Sequence, residues 1–156
     1  IYKAKNFILH NLSELLIYPG IVLLFVDALT PIWAIYLLIA IAIYDIIAVY
    51  HSKHMIKLAK QTMKNQTFTG IIIPVTKKKV AILGGGDIAF PMLFTAIVFT
   101  NLLLTNSPQT AFLKSLIISV TATIALSILF LISKEDRFYP AMPALALGSI
   151  LGYLLI

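Results

Sequence analysis

The sequence contains no cysteine, so disulfide bonds, thiol nucleophiles and cysteine-ligated metal sites are all excluded. Charged residues are also scarce: they make up 12% of the 156 residues, whereas hydrophobic residues make up 60%. A soluble domain cannot be built from this composition, because apolar side chains would cover its surface. The composition therefore indicates an integral membrane protein.

Acidic residues are the scarcer charge, and the net charge is +6. The lysines cluster between apolar runs and form no basic face, so we expect anionic lipid head groups as their partner and no nucleic acid. The apolar runs predict an all-α membrane protein, a polytopic helical bundle of about five transmembrane helices in one domain. The predicted spans are residues 7–26, 32–51, 80–104, 110–133 and 140–156.

The basic residues also predict the orientation, because Lys and Arg remain on the cytoplasmic side of a membrane. If the first span starts inside, Lys114 is the only one of the twelve basic residues near the opposite face. The inner side then holds Lys3, Lys5, the seven lysines of the 52–79 loop, Lys134 and Arg137. We therefore expect a multi-pass membrane protein whose basic loop, residues 52–79, is cytoplasmic.

This loop combines two patterns. Lysines recur every three or four residues from Lys53 to Lys64, with apolar residues between them. That spacing predicts an amphipathic helix in the head-group layer, and a solvated lysine-rich loop is the alternative. The following stretch, GIIIPVT, is rich in β-branched residues and predicts a strand, although Pro74 limits hydrogen bonding along one edge. An exposed strand edge at 71–76 can accept another extended peptide.

Two aspartates interrupt the apolar spans. Asp45 lies in AIYDIIAVYH, and Asp87 follows three glycines in VAILGGGDIAF. Counted from the cytoplasmic ends of the predicted helices at 1.5 Å per residue, they lie about 9 and 10 Å deep. An ionisable group at membrane depth is costly and usually marks a functional site. We therefore expect Asp45 and Asp87 to face each other on antiparallel helices.

Two carboxyl groups held together in a low dielectric cannot both ionise at low cost, so they share a proton. The ionised member can then take a proton from water while the protonated member hydrogen-bonds to a peptide carbonyl. This chemistry requires no metal and no cofactor. The pair alone leaves three alternatives open: a helix–helix hydrogen bond, a proton relay, or a cation site in a channel or transporter.

A third motif, PAMPALALG, opens the last predicted span. Pro140 is expected to start the helix. Pro143 is expected to interrupt regular helix, which a membrane tolerates only where the backbone lines a cavity or is covered by protein. We therefore expect Pro143, Ala144 and Leu145 to line a cavity or to be covered by protein on the cytoplasmic side.

These three motifs resemble those of the presenilin and signal peptide peptidase family of intramembrane aspartyl proteases. That family carries Tyr-Asp, Gly-x-Gly-Asp and Pro-Ala-Leu on three successive segments. Here the motifs are Tyr44-Asp45, Gly84-Gly85-Gly86-Asp87 and Pro143-Ala144-Leu145. The resemblance implies the C-terminal five helices of a nine-helix fold, with the N-terminal helices in a second chain or outside this sequence. The lysine placement matches the presenilin direction, and the short loop is typical of an archaeal-type presenilin homologue without accessory subunits.

The resemblance also implies the roles of individual residues. Asp45 and Asp87 are implied to be the catalytic pair of an aspartic endopeptidase whose substrates are transmembrane helices of other membrane proteins. Pro143, Ala144 and Leu145 are implied to shape the site and the docking of substrate. The 52–79 loop is implied to receive an unwound substrate.

The neighbouring residues carry weaker signals. Tyr44 is expected to pack or hydrogen-bond in the site, and Gly84 and Gly86 are expected to permit tight helix contact. His10 and Glu14 are four residues apart and are expected to pair with each other.

Other protease chemistries fit less well. The metalloprotease motif His-Glu-x-x-His does not occur, and His51 and His54 have no third ligand nearby, so no metal site is expected. A serine protease would need a base at membrane depth beside Ser149. Prepilin peptidases share Gly-x-Gly-Asp but not Pro-Ala-Leu. A structural subunit of a larger complex is the remaining interpretation, in which neither aspartate matters.

Overall fold

The computed structural model describes residues 4–50, 70–76, 79–133 and 139–156. This part of the chain forms a helical bundle with one antiparallel hairpin, and the predicted all-α membrane fold is confirmed. The helices are α1 (Ala4–Phe25), α2 (Pro31–Tyr50), α3 (Gly85–Leu102), α4 (Pro108–Ile132) and α5 (Met142–Leu154). The hairpin consists of β1 (Gly70–Thr76) and β2 (Lys79–Gly84).

Four of these helices, α1 to α4, are long and apolar enough to cross a membrane. The fifth, α5, is apolar but has 13 residues, fewer than the about 20 that a crossing usually needs. Large apolar side chains such as Leu24 and Leu131 are exposed on the outside of the bundle. An apolar exterior is what a lipid environment requires of a helical protein.

Each outer helix buries one narrow face, as the helical period of 3.6 residues requires. On α1 the buried side chains recur every four residues: Glu14, Tyr18, Val22 and Val26. On α2 they recur every three or four residues: Pro31, Ala34, Leu38, Ala42, Asp45 and Ala48. Asp45 therefore points into the bundle, because it lies on the buried, mostly apolar face of α2.

The helix at the centre of the bundle is α3. It packs against each of the other four helices and against both strands. Its buried residues Leu93, Phe94, Ile97 and Val98 form one broad buried face. The Phe94 ring meets the Tyr153 ring of α5 edge-on, with centroids 5.8 Å apart. Asp87 thus lies on the element that every other helix contacts.

Two short connections join α1 to α2 and α3 to α4. Asp27 lies in a single 3₁₀ turn, Val26–Ala28, between α1 and α2. At the start of α4 the side chain of Ser107 accepts a hydrogen bond from the Thr110 N–H at 3.4 Å. This cap satisfies one of the free N–H groups at the helix start.

The start of α3 differs from the sequence-based prediction. The third span was expected from residue 80, but residues 79–84 form β2, which pairs with β1 from Gly70↔Gly84 to Thr76↔Lys79. The predicted strand at 71–76 is thereby confirmed. The helical rise of 1.5 Å per residue, from which Asp87 was expected to lie about 10 Å deep, does not apply to residues 80–84. The predicted amphipathic helix, His51 and His54 lie outside the described residues.

The closest helix contact is between α4 and α5, where two glycines of α5 face small residues of α4. A Cβ atom on Gly148 would lie 2.8 Å from Ala122 Cα and from the Thr121 carbonyl oxygen. A Cβ atom on Gly152 would collide with Thr121 Oγ1 and would lie 2.7 Å from Ile118 Cα. Only glycine allows the backbones this close approach.

We expect Gly152→Ala to destabilise the protein by on the order of 1–3 kcal/mol, because its methyl group would meet backbone that cannot move aside. The measurement is the unfolding temperature in detergent micelles. Gly20→Ala on α1 is the matched control, since a Cβ atom there has nothing within 4 Å. Equal unfolding temperatures for Gly152→Ala and Gly20→Ala would contradict the packing described for α4 and α5.

Candidate active site

The carboxyl group of Asp45 lies at the N-terminus of α5. The Met142 N–H donates a hydrogen bond to Asp45 Oδ2 at 3.2 Å, and the Ala141 N–H also donates to this carboxylate. The first N–H groups of a helix have no partner within the helix. Asp45 of α2 therefore caps α5 from another helix, in a position where the helix dipole favours negative charge.

Pro143 starts a helix here, contrary to the expectation that it would interrupt one. It occupies the first turn of α5, where its missing N–H is one that would have had no helical partner. Regular helical bonding begins two residues later, with the Leu145 N–H donating to the Ala141 carbonyl at 3.1 Å. Pro143 therefore leaves α5 with one fewer donor to satisfy in an apolar setting.

Asp87 caps its own helix. It is the third residue of α3, whose N-cap is Gly84, and its carboxylate accepts a hydrogen bond from the Gly84 N–H. An acidic residue at this position that bonds back to the N-cap N–H is one half of a capping box. A Cβ atom on Gly84 would lie 3.1 Å from Asp87 Oδ2. The first glycine of the motif thus leaves the space in which the carboxylate sits.

The two carboxyl groups are neighbours inside the bundle. Asp45 is only 8% exposed, and Asp87 is half-buried. The two side chains are close enough for their charges to interact, because α2 packs directly against α3. A carboxylate has about four lone-pair positions, so each aspartate retains acceptor capacity beyond its capping bond. The arrangement places two acidic groups, each with free acceptor positions, within Coulombic range of each other.

The other predicted site residues are distributed around this pair. Leu145 is buried in the core, and Pro143 and Ala144 are half-buried at the start of α5. Tyr44 lies on the outer face of α2 and is 67% exposed, since adjacent helical residues point about 100° apart. The structure therefore brings the Pro-Ala-Leu motif close to Asp45, whereas the Tyr44 ring lies on the outside of the bundle.

Within the Gly84-Gly85-Gly86-Asp87 motif, Gly85 is the glycine that approaches another helix. The sequence had favoured Gly84 and Gly86 for that role. A Cβ atom on Gly85 would lie 2.8 Å from the Tyr18 hydroxyl of α1. Gly86 is exposed, and a Cβ atom there would meet only the Phe90 ring, at 3.4 Å. Sequence reasoning missed Tyr18, although its position four residues after Glu14 on the buried face of α1 could have indicated it.

Glu14 is only 5% exposed and faces Tyr18. The side chain of His10 is not among those that the structure describes, so its pairing with Glu14 stays a prediction. Within the described residues, no three His, Asp or Glu side chains come together as a metal site.

The fold and the site define a polytopic helical membrane protein with two neighbouring aspartates at two helix starts. The family model described as "Signal-peptide peptidase, presenilin aspartyl protease" matches residues 1–156. The chain therefore belongs to this family, and the predicted family is confirmed. At the level of the family, the activity is intramembrane aspartyl proteolysis. The searches of curated proteins and of solved structures each found no match.

We expect Gly84→Ala to lower the rate of the reaction that depends on Asp87 by about 10²-fold, the usual effect of a misplaced reacting group. Gly84 has φ −63° and ψ 146°, which alanine also adopts, so the effect arises from the contact with the carboxylate. Gly86→Ala should cost less, because its methyl group meets only a movable ring. The measurement is kcat for a membrane peptide. A larger loss in Gly86→Ala than in Gly84→Ala would contradict this account.

Proposed function

We propose that the protein is an intramembrane aspartic endopeptidase that hydrolyses peptide bonds in the transmembrane segments of other membrane proteins. The observation that supports this most directly is the pairing of the Asp45 and Asp87 carboxyl groups within Coulombic range inside an apolar bundle. Membership of the family agrees with this chemistry.

The proposed reaction uses one shared proton. The ionised aspartate removes a proton from water as the water oxygen attacks the peptide carbonyl carbon, and the protonated aspartate gives its proton to the carbonyl oxygen. The product is a tetrahedral diol. On its collapse a proton passes to the amide nitrogen and the C–N bond breaks. The fixed backbone donors around each carboxylate orient it before the reaction, so little reorganisation is needed at the transition state.

A transmembrane helix must unwind before it can be cut, because its peptide groups are shielded by their own hydrogen bonds. The hairpin offers a replacement partner. Among the described residues β1 and β2 pair only with each other, so each strand has one free edge, and an extended peptide can add to such an edge. Because β2 ends at Gly84, where α3 begins, a substrate strand aligned with the hairpin would lead toward Asp87.

The orientation of the protein forms part of the proposal. Eleven of the twelve basic residues fall on one side of the predicted spans, which favours a cytoplasmic position for the 52–79 loop. Cleavage would then occur near the cytoplasmic face. The N-terminal helices of the family fold are proposed as partners of this bundle.

We expect Asp45→Asn and Asp87→Asn each to abolish cleavage of a purified single-span peptide in micelles. Asparagine still accepts the capping hydrogen bonds through its side-chain oxygen, so the helix starts should persist while the ionisable group is lost. Mass spectrometry of the products measures the cleavage. Asp27→Asn, in the exposed turn between α1 and α2, is the matched control and should keep full activity. Retained cleavage in either active-site variant would refute the proposed function.

A channel or transporter that uses the same aspartates makes a different prediction. Reconstituted liposomes should then show proton or cation flux that Asp45→Asn and Asp87→Asn abolish, and the membrane peptide should stay intact. We expect the reverse: cleavage that an aspartyl transition-state mimic inhibits, and no flux above that of empty liposomes. Both assays can use the same protein preparation.

A further inference from the structure

Helix α1 carries two polar side chains, Glu14 and Tyr18, on its buried face. Glu14 and Tyr18 are 5% and 4% exposed and belong to the buried stripe that continues through Val22 and Val26. Burying a carboxyl group and a phenol in apolar surroundings is costly unless they are partnered or have a function. No step of the proposed hydrolysis uses either group, so their burial needs its own explanation.

The Tyr18 side chain lies against the first residue of α3. A Cβ atom on Gly85 would lie 2.8 Å from the Tyr18 hydroxyl oxygen, 3.2 Å from Cε1 and 3.4 Å from Cζ. Any side chain at position 85 would therefore push against the phenol. Gly85 is two residues from Asp87, so Tyr18 contacts the helical turn that carries the second carboxyl group.

Two side chains contact the backbone at the start of α3. The Asp87 carboxylate packs over Gly84, and Tyr18 packs over Gly85. A carboxylate that caps its own helix moves with the first turn of that helix. The contact from α1 therefore limits where Asp87 can lie relative to Asp45, which belongs to a different helix.

Glu14 lies one helical turn before Tyr18, and its carboxyl group faces the Tyr18 hydroxyl. That hydroxyl is fully buried and makes no well-formed hydrogen bond to any described residue. The Tyr18 phenol therefore lies between the Gly85 backbone and the carboxyl group of Glu14. Glu14 is on the same helix as Tyr18 and can orient the phenol. The geometry therefore connects Glu14 to the start of α3 through Tyr18.

We propose that Glu14 and Tyr18 are positioning residues for Asp87. Glu14 orients the phenol, and the phenol fixes Gly85 and the first turn of α3. The proposal rests on the proposed proteolytic function, because it assigns these residues to the placement of a catalytic group.

The test is a double-mutant cycle on the full chain in micelles, with kcat and KM measured for the membrane peptide. Gly85→Ala should lower kcat by about 10²-fold with little change in KM, because the methyl group pushes the first turn of α3 away from Tyr18. Tyr18→Phe removes the oxygen that the methyl group would meet first. The double variant Tyr18→Phe/Gly85→Ala should therefore recover kcat by at least about tenfold over Gly85→Ala.

Gly86→Ala provides the matched control for this coupling, because its methyl group would meet Phe90 and not Tyr18. The effects of Gly86→Ala and Tyr18→Phe should multiply without rescue. Glu14 is tested separately: Glu14→Gln keeps an acceptor for the phenol and should retain most of kcat, whereas Glu14→Leu should lose about tenfold. In the Tyr18→Phe background Glu14→Leu should have no further effect.

The unfolding temperature separates positioning from packing. A purely structural contact would show coupling in the unfolding temperature and none in kcat per folded molecule, and that result would overturn the proposal. Independent effects of Tyr18→Phe and Gly85→Ala on kcat would overturn it as well, while the proposed function would stand. An unsubstituted chain that cleaves no peptide would overturn both.

Discussion

A helix that begins in apolar surroundings leaves backbone N–H groups that no bulk water can satisfy, and the site of this protein is organised around that constraint. Asp45 accepts from the first N–H groups of α5, and Asp87 accepts from the Gly84 N–H at the start of α3. Each carboxylate is thus held by a helix start as well as by its own backbone. The N–H groups at the two helix starts need acceptors, and the two carboxylates that bond to them are held in place. These carboxylates are also the two groups that the proposed hydrolysis needs.

The central position of α3 explains how these two helix starts meet. It packs against every other helix, so its first turn is surrounded by α2 and α5 on the Asp45 side and by α1 on the Tyr18 side. The hairpin enters the same place, because β2 ends at the N-cap of α3. A backbone that changes from strand to helix at Gly84 brings both the free strand edges and the carboxylate to one location. In the proposed reaction, substrate pairing and water activation would be coupled through this single short segment.

The glycines of this chain serve two different purposes. Gly148 and Gly152 allow α5 to approach α4 so closely that a methyl group would meet backbone atoms. Gly84 and Gly85 instead leave room for particular polar groups, the Asp87 carboxylate and the Tyr18 hydroxyl. The first pair maintains the packing of the bundle. In the second pair, Gly84 leaves space for the Asp87 carboxylate itself, and Gly85 is proposed to act on it through Tyr18. Spacing in the sequence does not distinguish these purposes, because both depend on what approaches from another part of the chain.

Composition and local pattern were sufficient to predict the membrane class, the helical fold and the placement of both aspartates in apolar segments, and the resemblance of three motifs predicted the family. The start of α3 was not predictable, because the apolar residues 80–83 fit a helix or a strand equally well and pairing with β1 decided between them. Pro143 lies in the first turn of a helix whose start is capped by Asp45 of α2, 97 residues before Met142 in sequence. Local sequence determined that the helices are apolar and which residues can ionise. The tertiary structure alone decided which helix start each carboxylate caps and which glycine Tyr18 meets, because these contacts join segments that no short-range periodicity relates.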